Sequence, residues 1–189
     1  DGFDDTLAVN HLAPFLLTNL LLERLLESAP ARVVHVSSRL HQRARFVDLQ
    51  ELRHAGGHDL FARGVYAQSK RANLLFSAEL ARRLEGCGVT SNALHPGDVA
   101  TTVVRDSRLL SLGMVLGRLF LDTPAEGART SLPLAPAAEL QSVSGAYFVT
   151  CTARPPAPAA RDAAAAARLW QASAELSGIP ERSGWRARG

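Results

Sequence analysis

A tyrosine and a lysine four residues apart form the pair in this sequence that is best suited to acid–base chemistry. Tyr66 and Lys70 lie in the stretch 64–78, GVYAQSKRANLLFSA, whose apolar periodicity predicts a helix. Side chains at this spacing stack on one helix face. A free phenol titrates near pH ~10, but a lysine ~6 Å away in an effective dielectric of ~20 favours the phenolate by about 2–3 kcal/mol. The pair therefore predicts a tyrosine with a pKa lowered towards neutral pH, although an ordinary surface helix would carry the same pattern.

Hydroxyl and turn residues follow two predicted strands. The β-branched run 32–36 is followed directly by Ser37 and Ser38, and the run 89–95 is followed by Pro96 and Gly97. In open α/β sheets, ligands bind at the carboxyl ends of the strands. A serine in this place can meet a substrate, but a helix-capping serine explains the position equally well.

An asparagine and a proline lie inside the first predicted helix, at 3–28. Pro14 has no N–H, so the carbonyl of Asn10, four residues earlier, loses its helical partner. That carbonyl is then free to hold a water molecule or another donor. The alternative is that Pro14 only kinks the helix and that Asn10 is an ordinary polar residue.

Helices and strands alternate along the chain. After the first helix and the strand 32–36, the pattern predicts a helix at 65–84, a strand at 89–95, an apolar helix at 109–121, a short helix at 123–131, a strand at 145–150 and a helix at 161–176. This order indicates an α/β fold with a parallel sheet and helices on its faces. The polar connection 39–63 holds three histidines that fit no metal motif and that we assign to a solvated loop: His41, His54 and His58.

Composition excludes several classes of protein. The 189 residues suffice for one domain, and 47% hydrophobic with 21% charged residues is typical of a soluble globular protein. The basic residues are scattered, which argues against nucleic-acid binding. Cys87 and Cys151 form no Cys-x-x-Cys pair, so we expect neither a disulfide framework nor a metal site. A reducing compartment is expected, with a cytoplasmic or membrane-associated location, and the first residues do not have the pattern of a signal peptide.

Four motifs, in order and with compatible spacing, resemble the C-terminal half of a short-chain dehydrogenase/reductase of the retinol-dehydrogenase-like branch. They read VNHLAPFLLTNLLLERL, APARVVHVSS, YAQSKRANLLFSAELARRL and GVTSNALHPGDVATT. The resemblance covers 1–178 and implies the C-terminal part of a Rossmann-like, doubly wound parallel sheet whose N-terminal strands are missing. Residues 1–178 would form the partial catalytic domain, and 179–189 a flexible tail.

The resemblance also implies roles for single residues. Tyr66 would be the general acid/base, Lys70 would lower its pKa and hold the nicotinamide ribose, Ser38 would hydrogen-bond the substrate oxygen, and Asn10 would hold a water molecule in a proton relay. The residues implied to bind the cofactor are Tyr66, Lys70, Pro96, Gly97, Val99 and Thr101. The implied reaction is reversible hydride transfer between NAD(P)(H), with NADP favoured, and a small hydrophobic alcohol or carbonyl that is retinoid-, steroid- or lipid-like. A homo-oligomer is compatible with the resemblance.

A glycine-rich turn for the cofactor pyrophosphate is not found in this sequence. Such turns need glycines for close backbone approach and a helix N-terminus that faces the phosphates. Gly56-Gly57 and Gly86-x-Gly88 lack the required spacing. We therefore expect a fragment that is inactive in isolation and has one open strand edge. The alternative is a catalytically silent truncated relative that acts as an interaction module through that edge.

Overall fold

The sheet has four strands, in the order β1–β2–β3–β4. The computed structural model describes residues 2–44, 47, 49, 64–97 and 140–180. Strands β1 (Ala31–Val36), β2 (Val89–His95) and β3 (Tyr147–Val149) run parallel, with Val36 opposite Leu94. Strand β4 (Thr152–Ala153) pairs antiparallel with β3. The predicted parallel α/β sheet is confirmed for the first three strands.

The hairpin between β3 and β4 differs from the single strand predicted at 145–150. The loop consists of Thr150 and Cys151, with φ of 48° and 59°. Two positive φ angles in a two-residue loop are typical of a type I′ turn, whose usual sequence signal is Asn-Gly or Asp-Gly. The turn was missed because neither residue carries that signal.

The first helix is divided by a π-helical turn rather than merely kinked. Helix α1 (Asp5–Leu7) leads into the π-helical turn Ala8–Leu12, and α2 (Ala13–Glu27) follows. At the end of the turn, the N–H of Ala13 donates to the carbonyl of Ala8, five residues earlier. Pro14 lies in the first turn of α2 and supplies no N–H to the carbonyls of the π-helical turn before it.

The central helix, α3 (Val65–Arg83), begins after Gly64, whose φ of 65° is left-handed. The last helix, α4 (Ala163–Leu176), begins at Asp162, whose carboxylate accepts from the N–H of Ala165 at 3.0 Å. Two short 3-10 helices span Arg39–Arg43 and Pro158–Ala160. The first of these is positioned directly after the end of β1.

Helices α2, α3 and α4 pack on one face of the sheet. Alternate strand residues point to opposite faces, so Val33 and Val89 join the helix side while Val34 and Leu94 join the other. Phe76 of α3 lies at the centre of the helix-side core. Its ring centroid is 5.0 Å from Phe15, 5.6 Å from Trp170 and 4.8 Å from His35.

Some predicted elements cannot be compared with the structure. The helices at 109–121 and 123–131 and the tail residues 181–189 lie outside the described residues. Ile179, which the sequence assigned to the tail, donates its N–H to the carbonyl of Ala174 at 2.9 Å and packs on the helix-side core. In the part of the chain that the structure describes, none of the helices has the length and apolar character needed to cross a bilayer.

The position of Phe76 generates a stability prediction. Replacing Phe76, which is 1% exposed, by alanine leaves a cavity between α2, α3 and α4, and we expect a loss of about 3–5 kcal/mol in the free energy of unfolding. The matched control is Leu20→Ala on α2, because Leu20 is 70% exposed and should change stability by less than about 0.5 kcal/mol. Urea denaturation followed by circular dichroism measures both. Equal effects of the two substitutions would contradict this packing.

A buried histidine generates a second prediction. Burial, and secondarily the charge of His11, lowers the pKa of His35 from 6.5 to about 4. The unfolded chain therefore binds a proton between these values while the folded chain does not, and stability falls as pH drops from about 6.5 to about 4. In His35→Asn this fall should be smaller by up to about 1.4 kcal/mol per pH unit. Urea denaturation at several pH values gives the slope, and an unchanged slope would refute the assignment.

Candidate active site

Two serines follow the end of β1 and lie near the N-terminal part of α3. The N–H of Ser37 extends the β1–β2 ladder by donating to the carbonyl of Leu94 at 2.7 Å, and the hydroxyl of Ser37 donates to the carbonyl of Lys70 at 2.8 Å. Ser38 caps the 3-10 helix, since its hydroxyl accepts from the N–H of Leu40 at 3.2 Å. Ser37 thus fixes the strand to α3, while Ser38 begins the 3-10 helix that follows.

Tyr66, Lys70 and Ser38 are brought together. The Nζ of Lys70 lies 5.5 Å from the centroid of the Tyr66 ring. Nζ also donates to the carbonyl of Val36 at 3.2 Å, which ties the lysine to the end of β1. The side chain of Ser38 hydrogen-bonds the phenol of Tyr66. Ser38 therefore caps the 3-10 helix and also hydrogen-bonds the tyrosine, while its contact with a substrate stays a prediction.

The electrostatics of the pair differ from the sequence-based expectation. Burial raises the pKa of Tyr66, and the hydrogen bond from Ser38 only partly opposes this. Burial also lowers the pKa of Lys70. The net pKa of Tyr66 is therefore raised, and not lowered towards neutral pH as the spacing predicted. The physical reason is that desolvation disfavours the phenolate, while the ammonium lies over the ring and is bonded to the Val36 carbonyl.

Asn10 approaches the same helix from the π-helical turn. Its side-chain amide donates to the hydroxyl of Ser69 at 3.1 Å, and that hydroxyl donates to the carbonyl of Tyr66 at 2.9 Å. The side chain of Asn10 is thus linked to the backbone of Tyr66 through one hydroxyl. The sequence did not identify Ser69, which is fully buried on α3.

Pro96 and Gly97 follow β2 beside the end of β1, as expected from the parallel register. Gly97 has a φ of 103°, a region that favours glycine and lets a ligand approach the backbone closely. The ammonium of Lys70 has three N–H donors, one of which the Val36 carbonyl takes. These groups fit the hydroxyl- and amide-bearing end of a nicotinamide cofactor. Val99 and Thr101 lie outside the described residues.

Two functional candidates were missed by the sequence analysis. His41, assigned above to a solvated loop, is instead fully buried, because the 3-10 helix folds back against α3. Arg71 is 4% exposed and donates from Nε and Nη2 to the carbonyl of His41 at 3.1 and 2.9 Å. A signal for Arg71 was present, since Ala67, Leu74 and Leu75 at i−4, i+3 and i+4 mark its position as part of the apolar face.

Comparison with known proteins identifies relatives over almost the whole chain. No protein-family model matches the sequence. Retinol dehydrogenase 12 of Homo sapiens is 52% identical over 182 residues, and that of Bos taurus is 51% identical over 182 residues; each match covers 95% of this chain and 56% of the relative. Retinol dehydrogenase 11 of Homo sapiens is 44% identical over 183 residues, with the same coverage.

A solved structure gives an independent comparison of the fold. The crystal structure of an uncharacterized protein from Mycobacterium paratuberculosis matches with a TM-score of 0.67 and 30% identity, over 94% of this chain and 60% of that one. The chain spans little more than half the length of the curated relatives it matches, and the match falls in their C-terminal part. The chain is a homologue of retinol dehydrogenases of the short-chain dehydrogenase/reductase family and matches their C-terminal part.

Proposed function

We propose that this chain carries the catalytic half of an NAD(P)-dependent oxidoreductase that interconverts an alcohol and a carbonyl on a small hydrophobic substrate. The observation that carries the proposal is the Tyr66 phenol, hydrogen-bonded to Ser38, with the Lys70 ammonium 5.5 Å from its ring. The names of the relatives support a retinoid-like alcohol or aldehyde as the substrate.

In the direction of carbonyl reduction, the hydroxyls of Ser38 and Tyr66 both donate to the substrate oxygen. Negative charge develops on that oxygen as the carbon is reduced, and preorganised donors stabilise such charge. Tyr66 then transfers its proton to the oxygen. The raised pKa of Tyr66 suits this direction, because the phenol keeps its proton at neutral pH until the oxygen becomes strongly basic.

Lys70 has two tasks in this proposal. Its ammonium lies beside the ring of Tyr66 and stabilises the phenolate that remains after proton transfer. Its remaining N–H donors would hold the ribose hydroxyls of the cofactor, and Pro96 and Gly97 would pack against the nicotinamide end. A nicotinamide cofactor, when bound, supplies or accepts the hydride, and we propose NADP rather than NAD.

Asn10 is proposed to hold the water molecule that returns a proton to the site. Its side chain is fixed by Ser69, and its carbonyl lies in the π-helical turn where Pro14 supplies no N–H. The backbone carbonyl of Asn10 would then accept a hydrogen bond from this water molecule. The roles of Val99 and Thr101 in cofactor binding remain part of the same proposal.

Substitution of the tyrosine tests the proposal. We expect Tyr66→Phe to lower turnover by about 10²–10⁴-fold, measured as loss of reduced-cofactor absorbance with a retinoid aldehyde in the protein that carries this sequence. The matched control is Tyr147→Phe, because the buried Tyr147 hydroxyl has no hydrogen-bond partner among the described residues. Circular dichroism shows that both variants fold. Unchanged turnover in Tyr66→Phe would reject the proposed acid.

An interaction module remains the second candidate, and one observation favours it. Among the described residues, β1 pairs only with β2, and Val36 at the end of this edge strand is 47% exposed. An open apolar strand edge can pair with another chain.

Introducing a charged residue at the edge of β1 tests the interaction module. We expect Val36→Lys to weaken self-association of the 189-residue chain by at least about tenfold if the edge is the contact, measured by sedimentation velocity. The control is Val9→Lys, which adds the same charge at a residue that is 68% exposed but lies on the π-helical turn. A chain that stays monomeric without either substitution would exclude self-pairing through this edge.

A further inference from the structure

His41 forms hydrogen bonds with three separate segments of the chain. Its Nδ1 lies 2.6 Å from the carbonyl of Ser38, and its Nε2 lies 3.1 Å from the backbone nitrogen of Ala157. Its own carbonyl accepts two bonds from Arg71, at 3.1 and 2.9 Å. The ring is fully buried and lies edge-on to Tyr147, with 5.3 Å between ring centroids.

These partners fix one chemical form of the imidazole. The carbonyl of Ser38 can only accept, so Nδ1 carries the hydrogen; the N–H of Ala157 can only donate, so Nε2 carries the lone pair. A protonated ring would direct a second N–H at the N–H of Ala157. The neutral form is favoured independently by burial, which is the largest cause lowering the pKa of His41.

The same contacts connect the backbone of Ser38 to the helix that carries Tyr66. Ser38 has extended backbone, with φ of −155° and ψ of 154°, and its carbonyl is bound by the ring of His41. The carbonyl of His41 is bound by Arg71, one residue after Lys70 on the helix that carries Tyr66. A continuous path of short contacts therefore leads from the backbone of Ser38 to the helix of Tyr66.

We propose that His41 is a positioning residue that holds the Ser38 hydroxyl against the Tyr66 phenol through the Nδ1–H bond to the Ser38 carbonyl. This inference rests on the proposed function for its catalytic meaning. His41 itself is covered by Ser38, Arg71, Tyr147 and Ala157, so it acts through Ser38. The bond to Ala157 would be structural, since it anchors the segment after β4 without touching either hydroxyl.

Two amide substitutions separate the two bonds of the ring. In His41→Asn, the side-chain N–H takes the place of Nδ1–H and can still donate to the Ser38 carbonyl, while the bond to Ala157 is lost. In His41→Gln, the side-chain oxygen takes the place of Nε2 and can still accept from Ala157. The side-chain bond to the Ser38 carbonyl is then lost, and only the backbone N–H of residue 41 still donates to that carbonyl, as it does at 3.1 Å in the unsubstituted protein. Each variant keeps one hydrogen bond, so a merely structural role predicts similar behaviour of the two.

The readout is the pKa of Tyr66, followed by NMR of tyrosine labelled with ¹³C at Cζ in the protein that carries this sequence. The Tyr66 signal is assigned by its loss in Tyr66→Phe, and Ser38→Ala shows the rise in pKa when the serine hydrogen bond is absent. We expect His41→Gln to raise the Tyr66 pKa as Ser38→Ala does, and His41→Asn to leave it near that of the unsubstituted protein. Turnover should fall about tenfold or more in His41→Gln only.

The outcomes are distinguishable from failure of the proposed function. A Tyr66 pKa that is unchanged in both variants, or raised equally in both, would overturn the positioning role. The expected pKa pattern without turnover in any variant would support the positioning role and would count against the proposed oxidoreductase. If His41→Gln does not fold, the same measurement is made on Arg71→Lys, which weakens the hydrogen bonding to the His41 carbonyl. We expect a raised Tyr66 pKa in this variant, and an unchanged value would reject the proposal.

Discussion

Hydrogen bonds between the carboxyl end of β1 and helix α3 hold the site together. The hydroxyl of Ser37 donates to the carbonyl of Lys70, and the ammonium of Lys70 donates back to the carbonyl of Val36. The first bond is partly buried, where an unpaired backbone carbonyl would be costly, and the second is exposed. The result is a fixed separation between a strand end that carries Ser38 and a helix that carries Tyr66.

This arrangement explains why burial dominates the behaviour of the titratable groups. Tyr66 and Lys70 are both half-buried, and in each case desolvation is the largest cause of the pKa shift. Their shifts disfavour the charged form of either group. A neutral phenol next to a serine hydroxyl can donate its proton to a strong base. In the proposed reaction that base is the substrate oxygen, which becomes basic while its carbon is reduced. In the proposed reaction, a raised Tyr66 pKa favours proton donation by the phenol.

Several features of the fold could be predicted from sequence because they depend on local pattern. Apolar periodicity identified α3, a β-branched run identified β1, and four-residue spacing placed Tyr66 and Lys70 on one helix face. The π-helical turn was not predicted, although Pro14 indicated a disturbance at the right place. The type I′ turn at Thr150 was missed because its residues lack the usual signal.

The remaining features depend on tertiary contacts that spacing does not reveal. His41 was assigned to solvent because the connection that contains it is polar. Its ring is instead buried and accepts a hydrogen bond from Ala157, 116 positions away, while Arg71, 30 positions away, donates to its backbone carbonyl. The direction of the Tyr66 pKa shift was missed for a related reason. The Coulomb argument used a distance and a dielectric, whereas the outcome depends on how much water the fold removes from the phenol.

The measurement that tests the central claim most directly follows the hydrogen atom itself. The protein that carries this sequence is supplied with a reduced nicotinamide cofactor deuterated at its transferable position and with a retinoid aldehyde, and the product is analysed by mass spectrometry. Our account predicts an alcohol with one deuterium on the former carbonyl carbon and an oxygen-bound hydrogen that comes from solvent through Tyr66. A product alcohol without deuterium, or deuterated alcohol formed at the same rate by Tyr66→Phe, would contradict it.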